Sequence, residues 1–161
     1  MTAEDDGAFR PLPSHYEHCF GCGREHPTGL HLEMEGGGGR VRGWFEVTEH
    51  HQGAPGLAHG GVIAAALDEG MGYLLWLVGS PAVTGRLEVD YAKPVPVGAR
   101  LELEGWLERV EGRRISTAMV GRIAGQVAVR SRALYLKVGV EHFVEHARKV
   151  GEEMAEHPYN P

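Results

Sequence analysis

The chain has 161 residues, 42% of them hydrophobic and 24% charged, which is the make-up of an ordinary globular protein with room for one sizeable core. Its net charge of -6, with basic residues thinly spread, argues against a nucleic-acid partner, which calls for a basic stripe. Two cysteines are too few for a disulfide scaffold and fit a reducing, cytoplasmic setting.

The first residues, Met1-Thr2-Ala3-Glu4-Asp5-Asp6, are acidic and lack the basic-then-apolar order of a signal peptide. With Gly7, Pro11 and Pro13 following, residues 1–14 read as a loose leader. His15-Tyr16-Glu17-His18-Cys19-Phe20-Gly21-Cys22-Gly23 comes next, then a turn at His26-Pro27-Thr28-Gly29. Residues 30–35 alternate apolar and polar, the period of a half-buried strand. Four glycines at 36–39 form a turn, and residues 40–48 supply a second strand to complete a hairpin. Residues 49–57, with Gly53, Pro55 and Gly56, read as a loop.

A long apolar stretch then opens on Ala58-His59-Gly60-Gly61 and runs as a helix over about 60–78, stopped by Gly79, Ser80 and Pro81. Four strands follow, over 82–93, 100–110, 113–124 and 126–138. Pro94-Val95-Pro96-Val97-Gly98, Glu111-Gly112 and Gly125 punctuate them. The tail over 141–156 has the pattern of a charged amphipathic helix. The expected organisation is a leader (1–14), one α+β domain (15–139) and a C-terminal helix and tail (140–161).

A helix apolar on every side has to be buried, so the simplest packing wraps one curved antiparallel sheet around it. Such a sheet leaves edge strands and an open helix end, which a second copy of the chain covers; a homodimer, or a tetramer built from two, is expected. Residues 62–78 are also the one candidate membrane span, but Asp68 and Glu69 at its centre oppose insertion. No membrane partner is expected.

Those two acids sit about 100° apart around the helix and cannot share one environment. Asp68 falls in register with Gly61, Ala64, Ala65 and Gly72, a face of small residues. A carboxylate facing a core is costly unless it is paired, hydrogen-bonded or used. Glu69 reads as a solvated or salt-bridged neighbour.

Three stretches resemble the hotdog-fold acyl-CoA thioesterases, in the group that includes the phenylacetate-pathway and THEM-type enzymes. These are Cys19-Phe20-Gly21-Cys22-Gly23 with Pro27-Thr28-Gly29-Leu30, Gly56-Leu57-Ala58-His59-Gly60-Gly61 with Asp68, and Tyr91-Ala92-Lys93-Pro94-Val95-Pro96-Val97-Gly98. The resemblance implies a curved sheet around one helix and hydrolysis of an acyl-CoA. It also implies an active site shared between two subunits.

Thioester hydrolysis needs an attacking oxygen and a place for an oxyanion. The glycines at the helix start, Gly60 and Gly61, offer outward N–H groups and room for a carbonyl. The resemblance favours the Gly60 amide, with His59 shaping the turn or touching the thioester. Asp68 lies too far along the same helix to serve a carbonyl held there, so it is expected to serve the neighbouring subunit as nucleophile or general base. Thr84 stands where the family often carries a hydroxyl that positions the carboxylate or water. Gln52 is a candidate contact for the thioester carbonyl, Tyr73 and Trp76 for the far end of the acyl pocket, and Lys93, Arg113 and Arg114 for coenzyme A phosphates.

Neither a redox cofactor nor a metal is expected, and coenzyme A enters as part of the substrate. Cys19-x-x-Cys22 with His18 and His26 is a weak zinc signal that the resemblance accounts for without metal. His142 and His146 lack the glutamate of a zinc-protease motif, and no phosphate-binding GxxxxGK[ST] loop is present. The reading from another class is a non-catalytic acyl-CoA or lipid binder on the same fold, and a buried Asp68 counts against it. A hydratase would need a histidine and an acid on one helical face, and His59 and Asp68 do not share one.

Overall fold

The computed structural model describes residues 7–150. Its strands are β1 (Arg10–Pro11), β2 (Glu33–Gly37) and β3 (Arg40–Glu46), then a small hairpin of β4 (Gln52–Ala54) and β5 (Leu57–Ala58), then β6 (Ala82–Tyr91), β7 (Arg100–Glu111), β8 (Arg114–Ile123) and β9 (Gln126–Lys137). The helices are α1 (Gly60–Gly72), α2 (Leu74–Val78) and α3 (Val140–Val150). Seven strands form one sheet in the order β1-β2-β3-β7-β8-β9-β6, antiparallel at every pairing.

α1 crosses the inner face of this sheet and touches β3, β6, β7, β8 and β9. Ile63, Ala66, Leu67 and Met71 from the helix are buried against Phe45, Leu101, Leu103, Ile115 and Met119 from the sheet. This is the sheet-around-helix packing expected from the period-2 strands flanking one apolar helix, and the hotdog arrangement that the resemblance implies. Gly60–Val78 is the one stretch among the described residues long and apolar enough to cross a membrane, and it is the core helix of this fold.

The structure departs from the sequence reading in the expected leader, which contains β1, at the glycine turn, in the expected loop over 49–57, which contains β4 and most of the hairpin, and within the central helix. The glycine turn is shorter than expected: Gly36 and Gly37 extend β2, and only Gly38 and Gly39, at φ 58° and 71°, make the two-residue turn. The cause is the segment taken for a loose leader. β1 pairs Arg10 with Gly36, and a Cβ at Gly36 would meet Leu12 Cδ1 at 2.7 Å. The central helix divides at Tyr73, where the chain tightens and Trp76 N–H turns back to Tyr73 C=O at 3.2 Å. The expected C-terminal helix is α3, and its proposed continuation to residue 156 lies outside the described residues.

Candidate active site

The start of α1 is built by His59. Its backbone is extended (φ -67°, ψ 132°) and its Nδ1 accepts the Gly61 N–H at 2.9 Å, so this histidine is the helix N-cap. Its own N–H donates to His51 C=O at 2.7 Å. A Cβ at Gly53 would stand 2.8 Å from His59 Cα, so glycine there is what lets the two strands of the loop close. The Gly61 amide is therefore spent on the cap. The Gly60 amide has no acceptor among the described residues, while the Gly60 C=O accepts the Tyr91 hydroxyl at 2.6 Å. Of the two glycines, Gly60 carries the free donor.

Gln52 is exposed, and its side chain is hydrogen-bonded within the loop. Its side-chain oxygen accepts Gly56 N–H at 2.8 Å and its amide nitrogen donates to Glu49 C=O at 3.2 Å, so both ends hold the β4–β5 hairpin. Those bonds fix its position in the loop and leave one amide N–H of its two without a partner among the described residues.

Asp68 faces β6 and β9. The Thr84 hydroxyl donates to its Oδ1 at 3.0 Å, and the Tyr135 hydroxyl lies 3.1 Å from Oδ1 and 2.7 Å from the Asp68 C=O. Thr84 and Tyr135 are direct partners across the β6–β9 ladder, and the register shifts between Thr84 and Arg86. An irregularity of this kind re-aims the strand at its edge. Burial raises the Asp68 carboxyl above its ordinary range; the two hydroxyls oppose the shift and the charge of Glu69 adds to it. Tyr135, itself pushed well up by burial and the adjacent carboxylate, was not anticipated. It occupies the last buried position of β9, after Val129, Ser131 and Ala133, and that alternation is the only trace of it in the sequence.

One helical step away, Glu69 meets the N-terminal segment. His15 Nδ1 lies 2.7 Å from Glu69 Oε1, Cys19 Sγ 3.5 Å from Glu69 Oε2, and Cys22 Sγ 3.5 Å from His15 Nδ1. Burial alone would raise Glu69, but the hydrogen bond and charge of His15 bring it below its ordinary range; His15 is raised in turn, against its own burial. A hydrogen bond from Cys22 holds Cys19 down at about 7, helped by the N–H groups of Cys22 and Gly21, and Cys22 is raised correspondingly. Both cysteines are free. Ligand atoms of His15, Cys22 and Glu69 lie within 4.8 Å of one another, a donor set able to hold a metal ion. His18 is instead turned to Glu25, and His26 packs its ring on Phe20.

Asp68, Glu69, His15, Thr84, Tyr135 and Phe143 border one cavity of about 310 Å³. Tyr73 and Trp76 stand elsewhere. The Tyr73 hydroxyl donates to Leu32 C=O at 2.9 Å, and the Trp76 ring stacks on His15 with centroids 5.6 Å apart. Both wall the His15 cluster. Arg113 donates to Lys137 C=O, beside the start of β6, whereas Lys93 follows the end of β6 and pairs with Gln126. Arg114 opens β8 next to Arg113. The length of β6 separates the two arginines from Lys93 by about 30 Å, so within one chain the three cannot grip one phosphate group.

Comparison with known proteins bears on the fold and the family pattern. The family model described as the thioesterase superfamily matches residues 55–129, a span that includes Gly60, Asp68 and Thr84. The acyl-coenzyme A thioesterase THEM4 of Xenopus laevis is 35% identical over 75 residues, covering 46% of this chain and 33% of that protein. The chain thus matches only about a third of that relative's length. A solved thioesterase superfamily protein is 37% identical with a TM-score of 0.70, covering 74% of this chain and 60% of that one. The E. coli PaaI protein, from the phenylacetic acid degradation operon, superposes with a TM-score of 0.64 at 16% identity, over 68% of this chain and 81% of that one, a likeness of fold. The chain is a hotdog-fold protein whose residues 55–129 carry the thioesterase-superfamily pattern.

Proposed function

We propose that the protein is an acyl-CoA thioesterase that hydrolyses its substrate to a free acid and coenzyme A, with each active site shared between two copies of the chain. The observation that carries this reading is Asp68, a half-buried carboxylate held by two hydroxyls over a cavity. The same helix opens on a free Gly60 N–H. Gly60 and Asp68 are eight residues apart on α1, which separates them by about 12 Å. One thioester carbonyl cannot meet both groups of one chain. Antiparallel apposition of two α1 helices brings Asp68 of one copy to the Gly60 amide of the other, and β6 offers an edge of the sheet for that pairing.

In this arrangement the carbonyl oxygen points at the Gly60 N–H, at the positive end of α1. Asp68 attacks the carbonyl carbon or takes the proton from a water that does so. Charge moves to the oxygen, the tetrahedral species collapses, and the thiolate of coenzyme A leaves and is protonated. If water attacked, the free acid is formed at once; if Asp68 attacked, a water then hydrolyses the acyl–Asp68 anhydride and frees both the acid and the carboxylate. Thr84 and Tyr135 fix the carboxylate and temper its rise in pKa, and His59 holds the turn that presents Gly60. No step is routed through a metal or a redox group. The similarity to an acyl-coenzyme A thioesterase supports the substrate class, and two free thiols suit a cytoplasmic location.

The test is thiol release from acyl-CoAs, phenylacetyl through palmitoyl, by the wild type, Asp68→Asn and Gly60→Pro. Gly60 is the first helical residue, where proline fits, and His59 before it is already extended, so the proline variant deletes one N–H while leaving the helix intact. Wild-type turnover with a loss of about 100- to 1,000-fold in Gly60→Pro is the expected result. Tight acyl-CoA binding without turnover by the wild type would make the protein a binder instead.

A further inference from the structure

The N-terminal Cys19-Phe20-Gly21-Cys22 turn, His15 and Glu69 have no part in that chemistry, yet they converge on one point. We infer that Cys19, Cys22, His15 and Glu69 form a structural zinc site that clamps the N-terminal segment onto α1.

Ligand atoms of His15, Cys22 and Glu69 already lie within 4.8 Å of one another, and Cys19, which lies outside that set, approaches the other Glu69 oxygen and has to swing inward to complete a tetrahedron. With metal–sulfur bonds of about 2.3 Å and metal–nitrogen or –oxygen bonds of about 2.0 Å, a sulfur and a nitrogen or oxygen ligand stand about 3.5 Å apart. Cys22 Sγ to His15 Nδ1 is 3.5 Å, and Cys19 Sγ to Glu69 Oε2 is 3.5 Å. The 2.7 Å between His15 Nδ1 and Glu69 Oε1 is a hydrogen bond, and an ion replacing its proton needs that edge to open by about half an ångström. Two thiolates, an imidazole and a carboxylate are a zinc donor set.

The surroundings are arranged as they are around bound metals. His15 Nε2 lies 3.3 Å from the Gly72 C=O, so the ring keeps Nδ1 for the cluster while the other nitrogen is oriented by a backbone carbonyl. The His15 N–H donates to Cys22 Sγ at 3.1 Å, which favours a thiolate there. The turn closes through Gly23 N–H to Cys19 C=O at 2.8 Å. A Cβ at Gly21 would collide with the Glu69 carboxylate, so glycine at that position is what admits the acid to the cysteine turn. Tyr73 and Trp76 pack on the His15 ring and shield the site from one side. Binding one Zn²⁺ displaces the two thiol protons and the proton held between His15 and Glu69, leaving a net charge of -1 on the site. The inference stands apart from the thioesterase reading: the ion would hold structure at the wall of the cavity that Asp68 shares with His15 and Glu69, and take no part in the hydrolysis.

The test uses the full chain stripped by a chelator and then titrated with Co²⁺ or Zn²⁺. One Co²⁺ per chain is expected, with thiolate-to-cobalt charge transfer and the intense visible bands of a tetrahedral ion, both erased by one equivalent of Zn²⁺. Cys19→Ser and Cys22→Ser should each weaken binding by more than about 100-fold, beyond the loss expected for an outer partner. His18→Ala and His26→Ala should bind as the wild type. Because a serine variant can misfold, thiol reactivity of the wild type supplies an independent readout: Zn²⁺ should protect both cysteines and a chelator should expose them. Thiols equally reactive with and without Zn²⁺, Co²⁺ bands lacking sulfur charge transfer, or a dithiol that only oxidises to a disulfide would each overturn the site.

Discussion

Asp68 and Glu69 are chain neighbours on one helix, and their surroundings treat them in opposite ways. Asp68 turns to the β6–β9 ladder, where it meets only neutral hydroxyls; burial wins and its carboxyl is raised. Glu69 turns to the N-terminal segment, where His15 supplies a hydrogen bond and a charge; the partner wins and its carboxyl is lowered. One acid keeps only neutral donors beside a cavity and the other is ion-paired with His15; in the proposed function the first carries the chemistry and the second holds the N-terminal segment.

The strongest way to break the comparison is to remove each charge in turn. Asp68→Asn should lower kcat by about 100-fold or more, the range of a lost general base, yet raise thermal stability at neutral pH. The sign follows from linkage: an acid raised in the folded state costs stability above its unfolded value of 3.8, and the amide escapes that cost. Glu69→Gln should do the reverse, costing about 3 kcal/mol by stranding His15 while leaving Asp68 and its neighbours in place. Thermal unfolding and thiol release on both variants check the pair; equal effects on stability would erase the distinction.

A finer probe leaves the carboxylate and removes its donors. Thr84→Val and Tyr135→Phe each delete a hydrogen bond that holds the Asp68 carboxyl down, so the acid limb of the kcat profile should move to higher pH in both, with kcat reduced about tenfold. Thr84→Ser should restore the wild-type limb. Smallest is the pH signature of the other face. Glu69 is lowered from 4.5 and His15 raised from 6.5, so the pair's contribution is complete above 4.5 and below 6.5. It fades as pH falls through the folded value of Glu69 or rises through that of His15. In chelator-treated protein the stability gap between wild type and His15→Gln should therefore peak between those values, and a gap independent of pH would sever His15 from Glu69.

Much of this was legible in the sequence, for identifiable reasons. The sheet follows from period-2 alternation, and the core helix from an apolar run opened by His59-Gly60-Gly61, where the structure places an N-cap. Asp68 stood out because an acid in such a run is costly, whereas Thr84 was singled out by the family resemblance and meets Asp68 directly in the structure. Glu69 proved to be the salt-bridged neighbour rather than the solvated one. What failed to show were meetings made only by folding: Tyr135 reaches Asp68 from 67 residues away, and His15 reaches Glu69 from 54. The packing of Tyr73 and Trp76 on the His15 ring is a third such meeting. The separation of Lys93 from Arg113 and Arg114 needed no structure, since counting hairpins already puts them at opposite ends of β6.

The shared site is the central claim, and co-expression of Asp68→Asn with Gly60→Pro tests it most directly. Each parent should be nearly inactive alone. If Asp68 of one copy works on the carbonyl held by Gly60 of the other, every mixed dimer contains one intact site, and the equal mixture should recover about a quarter of wild-type activity. Activity no greater than the sum of the two parents, with mixed dimers present, would contradict the account and place both groups at a site within one chain.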